Sequence, residues 1–289
     1  MTHIIYKVAG HRFAVQADNP LAVTERLLSF EPFRCEEASD PSGCLFVMEV
    51  CRQVPASGEE VARFDWDGAL CVILRDAESY SFQFHPYRSS LCYVMRADRA
   101  FRRVRMQMLD EPTDGFVLSN GLMMTFAFAS ASEQTLMVHA SVVCNHGRGY
   151  LFLGKSGTGK STHSRLWLQH IPGSELLNDD NPIVRVVDGV PRVYGSPWSG
   201  KTPCYRNADA PIGAFVKLDQ APANRIGPVP ALHAFATLLA SCSLMKWDER
   251  VYDGIADTLS AVVERVPVYH LDCLPDEGAA RLSYETIRR

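Results

Sequence analysis

Short apolar runs broken by turn residues fill the first 110 residues or so of the chain. Ile4 to Val8 and Arg12 to Val15 flank Gly10-His11, Cys44 to Val50 is rich in β-formers, and Asp67-Gly68 separates Phe64-Asp65-Trp66 from Leu70 to Leu74. Alternation punctuated in this way predicts hairpins and a mostly antiparallel sheet. Tyr80, Phe82, Phe84, Tyr87 and Tyr93 recur at the spacing of side chains that share one sheet face, which marks them as core. A polar, Pro-containing break from Glu111 to Gly115 ends the pattern, and Leu122, Met123, Phe126 and Phe128 then follow helical spacing. The break predicts a β-rich domain over 1–115, suited to recognising a substrate or partner, and a second domain over 116–289.

In that second part the periods alternate. Met137 to Cys144 reads as a strand, Asn145 to Gly149 as a turn and Tyr150 to Leu153 as its hairpin partner. Lys160 to His170 reads as a helix ended by Pro172-Gly173, and Glu175-Leu176-Leu177 climbs into Asn178-Asp179-Asp180. Ile183 to Val187 and Val190 to Tyr194 form a hairpin around Asp188-Gly189. A strand from Ile212 to Leu218, helices over Ala231 to Met245 and Asp248 to Val266, a strand from Val268 to Leu271 and a helix from Asp276 complete an α+β chain.

Length and composition narrow the functional classes. At 289 residues and 47% hydrophobic content, the chain is long enough for two cores. Its 29 basic and 33 acidic side chains give a net charge of −4, and Arg102-Arg103-Val104-Arg105 stands out as a short cluster that reads as a solvated edge, so nucleic acid is not an expected ligand. Nine scattered cysteines without a C-x-x-C pair suit buried thiols in a reducing cytoplasm. No stretch reaches the roughly 18 apolar residues that span a bilayer, and the first apolar run carries Lys7 and no small-residue cleavage site, so neither membrane insertion nor secretion is expected.

The chemistry concentrates in one segment. Gly154-Lys155-Ser156-Gly157-Thr158-Gly159-Lys160-Ser161 fits the phosphate-loop pattern G-x-x-x-x-G-K-[ST] and lies between a predicted strand and a predicted helix. Glycines there let the backbone curl round phosphate oxygens, Lys160 reaches the β and γ phosphates, the Ser161 hydroxyl holds Mg²⁺, and the helix start through Thr162 adds amide donors. A nucleoside triphosphate is the expected ligand. Such a site needs an acidic group on a second strand, and Asp179-Asp180, nineteen residues beyond Lys160, is the candidate pair. One carboxylate would approach the metal and the other a substrate hydroxyl, whose proton it accepts. His139, fifteen residues before the loop on the neighbouring strand, is a candidate metal ligand, proton partner or structural hydrogen bonder. Further on, Lys201 and Arg206 are candidates to neutralise transferring phosphate or grip an acidic acceptor, and Trp198 to wall the site. His163 and His170 read as helix-surface and helix-end residues, and Asn224-Arg225 as a contact for the base or a neighbouring subunit.

Val138-His139-Ala140-Ser141-Val142, the glycine loop and Asn178-Asp179-Asp180 together resemble the nucleotide core shared by bacterial HPr kinase/phosphorylases and phosphoenolpyruvate carboxykinases, over roughly residues 137–201. The resemblance implies a mixed-sheet phosphate-loop core with flanking helices. It implies Asp179 as general base, Asp180 and His139 on the metal side, and ATP with Mg²⁺ or Mn²⁺. Residues 111–138 contain no Lys, whereas the carboxykinases place a metal-binding lysine upstream of the histidine. The first 110 residues do not match the HPr-recognising domain either. The resemblance is therefore closest to small HPr-kinase-like proteins, some of which phosphorylate serine in peptides or as the free amino acid. It implies an ATP-dependent kinase acting on a hydroxyl of a protein, peptide or small molecule, possible as a homo-oligomer. Carboxykinase-type transfer and a non-catalytic ATP-binding module are the alternatives.

Overall fold

A computed structural model describes residues 2–35, 40–66, 68–87, 89–200 and 202–288. The chain divides into two compact units, Met1–Ser130 and Ala131–Arg289. Both combine a mixed sheet with helices, an α+β arrangement.

The first unit is an eight-stranded sheet: β1 (Thr2–Val8), β2 (His11–Ala17), β3 (Val47–Cys51), β4 (Glu59–Trp66), β5 (Ala69–Arg75), β6 (Ser79–Pro86), β7 (Tyr93–Asp98) and β8 (Arg103–Gln107), in the order β1-β2-β3-β8-β7-β6-β5-β4. Short helix α1 (Pro20–Arg26) and the longer α2 (Asp114–Ala129) complete it. The sheet is mostly antiparallel, as expected, and is mixed only because β3 runs parallel to both β2 and β8. The 29-residue excursion between β2 and β3, through α1, is long enough to return the chain for parallel pairing. Phe126 of α2 lies edge-on to Phe13, and Phe128 stacks on Phe82. That packing assigns the helix to the first unit, so the division falls at 130 rather than 115; the apolar positions of α2 complete the core of the sheet before them. Tyr80, Phe82, Phe84 and Tyr93 are buried as expected, whereas Tyr87 is exposed, lies past the end of β6 and bonds Asp65. Asp67, in the predicted β4–β5 turn, lies outside the described residues.

The second unit contains β9 (Thr135–Met137), β10 (Ala140–Asn145), β11 (Arg148–Leu153), α3 (Lys160–His170), β12 (Glu175–Asp180), β13 (Ile183–Val187), β14 (Val190–Tyr194), β15 (Asp209–Gln220), β16 (Arg225–Pro228), α4 (Ala231–Leu239), α5 (Glu249–Val263), β17 (Val268–Cys273) and α6 (Glu277–Ile287). The strand predicted over Met137 to Cys144 is two strands, since β9 pairs with β13 while β10 pairs with β11 and β12. His146-Gly147 and Asp188-Gly189 take positive φ at both positions, the backbone that two-residue hairpin turns require, and they close β10–β11 and β13–β14. Across one part of the sheet the order is β12-β10-β11-β15, with β17 beyond β15. A core of Phe152, Trp167, Val216, Leu218, Leu271 and Ala280 fixes α3 and α6 against that face. Among the described residues no helix is long and apolar enough to cross a membrane.

Candidate functional site

Strand direction gathers the predicted residues at one end of this sheet. β10 runs antiparallel to both β11 and β12, with Ala140 in register with Leu153 on one side and Asp180 on the other. The start of β10 therefore lies beside the ends of β11 and β12. His139 immediately precedes the first, the glycine loop follows the second, and Asp179-Asp180 closes the third.

The loop leaves Leu153 and enters α3 at Lys160. Gly157 and Gly159 adopt φ of 82° and 110°, a conformation that a side chain disfavours even where space is open. Within the loop, Thr158 donates from both its N–H (3.1 Å) and its hydroxyl (2.6 Å) to the Lys155 carbonyl. Gly159 gives α3 no side-chain cap, so the first-turn amides, through Thr162, have no acceptor from that residue. The ammonium of Lys160 turns back over the loop and donates to the Gly154 carbonyl at 3.0 Å. Burial pushes the Lys160 pKa down, while Asp180 and then Asp179 oppose that shift with their negative charge. Both carboxylates are thus within electrostatic reach of the lysine.

The two acids have different surroundings. Asp179 lies opposite Ser141, and the Ser141 hydroxyl bonds that of Ser164 on α3 at 2.6 Å. Residues directly opposed in an antiparallel pair share a face, so Asp179 projects to the side of the sheet that α3 covers. It is only 3% exposed, and its Oδ2 is buried without a hydrogen-bond partner. Asp180 has both oxygens engaged: His139 Nε2 lies 3.1 Å from Oδ1, and the Asn181 side chain donates to Oδ2 at 2.8 Å. His139 is itself positioned by its backbone N–H, which donates to Ser241 O at 2.7 Å.

Neighbouring groups clamp this end of β12. The buried Asn178 amide donates to Ser196 Oγ and to the Trp198 carbonyl, both at 3.1 Å, and its oxygen accepts from the Asn181 N–H at 3.0 Å. Gly200 donates its N–H to the Asp179 carbonyl at 2.5 Å. In the sequence Asn178, Ser196 and Gly200 carry no individual signal of this clamp; what points to it is the turn-rich Gly-Ser-Pro-Trp-Ser-Gly run from Gly195 to Gly200, small residues where a loop must approach a strand.

Other candidates go elsewhere. Arg206 donates to the Leu176 carbonyl (2.9 Å) and to Glu175 (2.8 Å), at the far end of β12 from the acids, and so does not join them. Trp198 is buried within the clamp loop, and Lys201 lies outside the described residues. His163 is buried rather than on the helix surface, because positions 160, 163, 164 and 167 form the face of α3 that meets the sheet. Its Nε2 lies 3.0 Å from Ser283 Oγ, and burial holds its pKa down to about 4. His170 sits at the helix end, 3.6 Å from Glu277. Asn224 is tied to Asp276 and Leu274.

No family model matches the chain, and no curated protein matches it. Among solved structures, the Hpr(Ser) kinase/phosphatase from Coxiella burnetii aligns with 53% of this chain and 93% of its own, at 13% identity and a TM-score of 0.30. A likeness this slight assigns neither family nor reaction.

Proposed function

We propose that this chain is a Mg²⁺-dependent phosphotransferase that moves the γ-phosphoryl group of ATP to a hydroxyl acceptor, a serine of a protein or peptide or a small molecule. The observation that carries this reading is Asp179: a buried carboxylate with one oxygen unpartnered, at the sheet end where a glycine loop delivers a buried lysine. A buried, unpaired carboxylate oxygen is costly to a fold, and groups of this kind recur where proton transfer is required.

In this reading the loop from 154 to 162, through those of its amides not already committed as Thr158's is to Lys155, and Lys160 bind and orient the phosphates. Asp179 accepts the acceptor's hydroxyl proton as the new oxygen–phosphorus bond forms and the bond to the β-phosphate oxygen breaks, releasing ADP. Asp180, held by His139 and Asn181, stands on the metal side with the Ser161 hydroxyl. Among the described residues no group of three or more His, Cys, Asp or Glu is arranged to hold a metal. A hydroxyl and a carboxylate are too few for a protein-only cage and fit a hard cation that draws its other ligands from phosphate and water. When bound, the cation neutralises charge on the phosphates.

The test is incubation with γ-labelled ATP and Mg²⁺ against free serine, serine peptides and cell extract, with mass identification of the labelled product. Asp179→Asn is expected to lower transfer by about 10²–10⁴-fold while ATP affinity stays within about threefold. Lys160→Ala is expected to weaken both. Transfer by Asp179→Asn equal to that of the wild type would remove the assigned base, and no labelled acceptor with the wild type would overturn the reading.

A further inference from the structure

We propose that a cavity of about 570 Å³ on the side of the loop away from the acids receives the base of the nucleotide and selects adenine through its exocyclic amino group. This rests on the reading that the loop at 154–161 holds the phosphates.

Strand order sets the direction. Leu153, the last residue before the loop, is in register with Ala140 of β10 on one side and with Lys217 of β15 on the other. Beyond β10 lies β12 with the acidic pair, and beyond β15 lies β17. A triphosphate crossing the ends of these strands with its γ end at Asp179 carries its nucleoside toward β15 and β17. The cavity opens there, against the loop at Gly157 to Gly159 and Thr162 of α3. Its volume falls within the range of small-molecule sites. Leu166, Pro222, Leu274 and Pro275 supply apolar surface suited to the faces of a planar ring.

Away from the phosphate-facing loop and α3, on the side formed by the ends of β15 and β17, the polar groups of the rim favour acceptors over donors. The Ala221 N–H is committed to the Cys273 carbonyl at 3.2 Å and the Leu274 N–H to Asn224 Oδ1 at 2.8 Å, while Pro222 and Pro275 have no N–H to offer. Gln220 donates its side-chain amide to the Gly157 and Thr158 carbonyls at 3.3 and 3.4 Å, which leaves Oε1 as an acceptor. Asn224 also donates to Asp276 Oδ1 at 3.0 Å, and that same oxygen caps α6 by accepting the Ala279 N–H at 2.8 Å, so the rim is tied to a helix start. Adenine presents a donor amino group where guanine and hypoxanthine present a carbonyl oxygen. A donor-poor rim accommodates the first and leaves the second unpaired. The adenine contact thus assigns a role to Gln220 and makes Asn224 a support for the rim.

Titration calorimetry of wild type, Ala221→Trp, Leu274→Trp and Gln220→Leu with ATP, inosine triphosphate and inorganic tripolyphosphate tests this, with circular dichroism and melting temperature verifying the fold of each variant. Wild type is expected to bind ATP on the order of tenfold more tightly than inosine triphosphate, and Gln220→Leu to bring that ratio toward one. Either tryptophan is expected to weaken ATP by at least about tenfold, by occupying the cavity, and to leave tripolyphosphate affinity unchanged. Unchanged ATP affinity in both folded tryptophan variants, or inosine triphosphate bound as tightly as ATP by the wild type, would overturn the base site while tripolyphosphate binding kept the phosphate loop standing. Failure of the wild type to bind either ATP or tripolyphosphate would overturn both.

Discussion

Asp114 and Asp76 of the first unit and Asp179 of the second are satisfied in different ways. In the first unit Asp114 is fully buried, yet it accepts the N–H groups of Leu109 (3.2 Å) and Asp110 (2.9 Å) and faces Arg26 at 3.6 Å. Asp76 gathers Ser57, Glu78, Ser79 and Arg96, and the hydrogen bonds from Ser57, Glu78 and Ser79 hold its pKa well below the usual carboxylate range. In the second unit Asp179 is nearly as buried as Asp114 but leaves an oxygen without a partner. A closed set of hydrogen bonds stabilises a fold. An open one at a strand end, beside a lysine and a glycine loop, costs stability and suits chemistry. Burial of a charge therefore does not by itself distinguish structure from function; the unfilled lone pair does.

His163 sharpens this contrast, because it is a buried titratable group of the second unit whose network is closed. Its Nε2 and the Trp167 indole both meet Ser283 Oγ, at 3.0 and 2.9 Å. Burial lowers its folded pKa from 6.5 to about 4. Between those values the unfolded chain binds the proton and the native unit does not, so stability falls as pH drops through the window, by up to about 3 kcal/mol once pH reaches the lower value. Well above pH 6.5 the imidazole is neutral in both states and adds no slope. Urea titrations from pH 7 to 4 are expected to show this loss in the wild type and a shallower one in His163→Gln. Equal slopes in the two proteins would mean that the imidazole is not held neutral.

Asp114→Ala is the counterpart of Asp179→Asn and gives the next largest effect. It strands the backbone amides of Leu109 and Asp110 in the segment leading into α2, and a loss of about 2 kcal/mol is expected from the first unit. Phosphoryl transfer per folded molecule is expected to stay unchanged. Calorimetry and activity on the same samples separate the two quantities. A large drop in turnover with little thermal shift would place Asp114 with the functional carboxylates and dissolve the contrast.

Legibility in the sequence followed the range of the interactions. The helix from Lys160 to His170 and the hairpin Ile183–Val187 with Val190–Tyr194 begin and end where local period and turn chemistry put them. So did the gathering of His139, the loop and the acidic pair at one sheet end, since two antiparallel neighbours of β10 leave little choice of geometry. What was not legible is non-local. The parallel pairing of β3, the attachment of α2 to the first unit, and the direction taken by Arg206 each depend on a partner distant in sequence. β16, four residues with a Gly and a Pro, lacks a strand pattern altogether and owes its existence to pairing with β17. Asp179 and Asp180 were named as a pair, but nothing in two adjacent identical residues indicates which one keeps an oxygen unpartnered.

Two glycines carry the smallest test. A Cβ at Gly121 of α2 would meet the sulfurs of Met106 and Met95, each at 3.2 Å, and these are flexible side chains able to yield by a few tenths of an ångström. Alanine there also gains about 0.5–1 kcal/mol of helix preference, so Gly121→Ala is expected to leave stability within about 0.5 kcal/mol of wild type. A Cβ at Gly200 would instead meet the backbone carbonyl of Asp179 at 2.8 Å and Cβ of Asp180 at 3.2 Å. Gly200 is not held in a left-handed conformation, so its replacement tests space alone. Relief requires the loop or the end of β12 to move, and if Asp179 is the base proposed above, displacing it even slightly is costly to turnover. Gly200→Ala is expected to lower kcat by roughly tenfold with nucleotide affinity preserved. A variant with both kcat and affinity at wild-type values would show that the clamp on β12 has slack, and that the position of Asp179 is set by β10 alone.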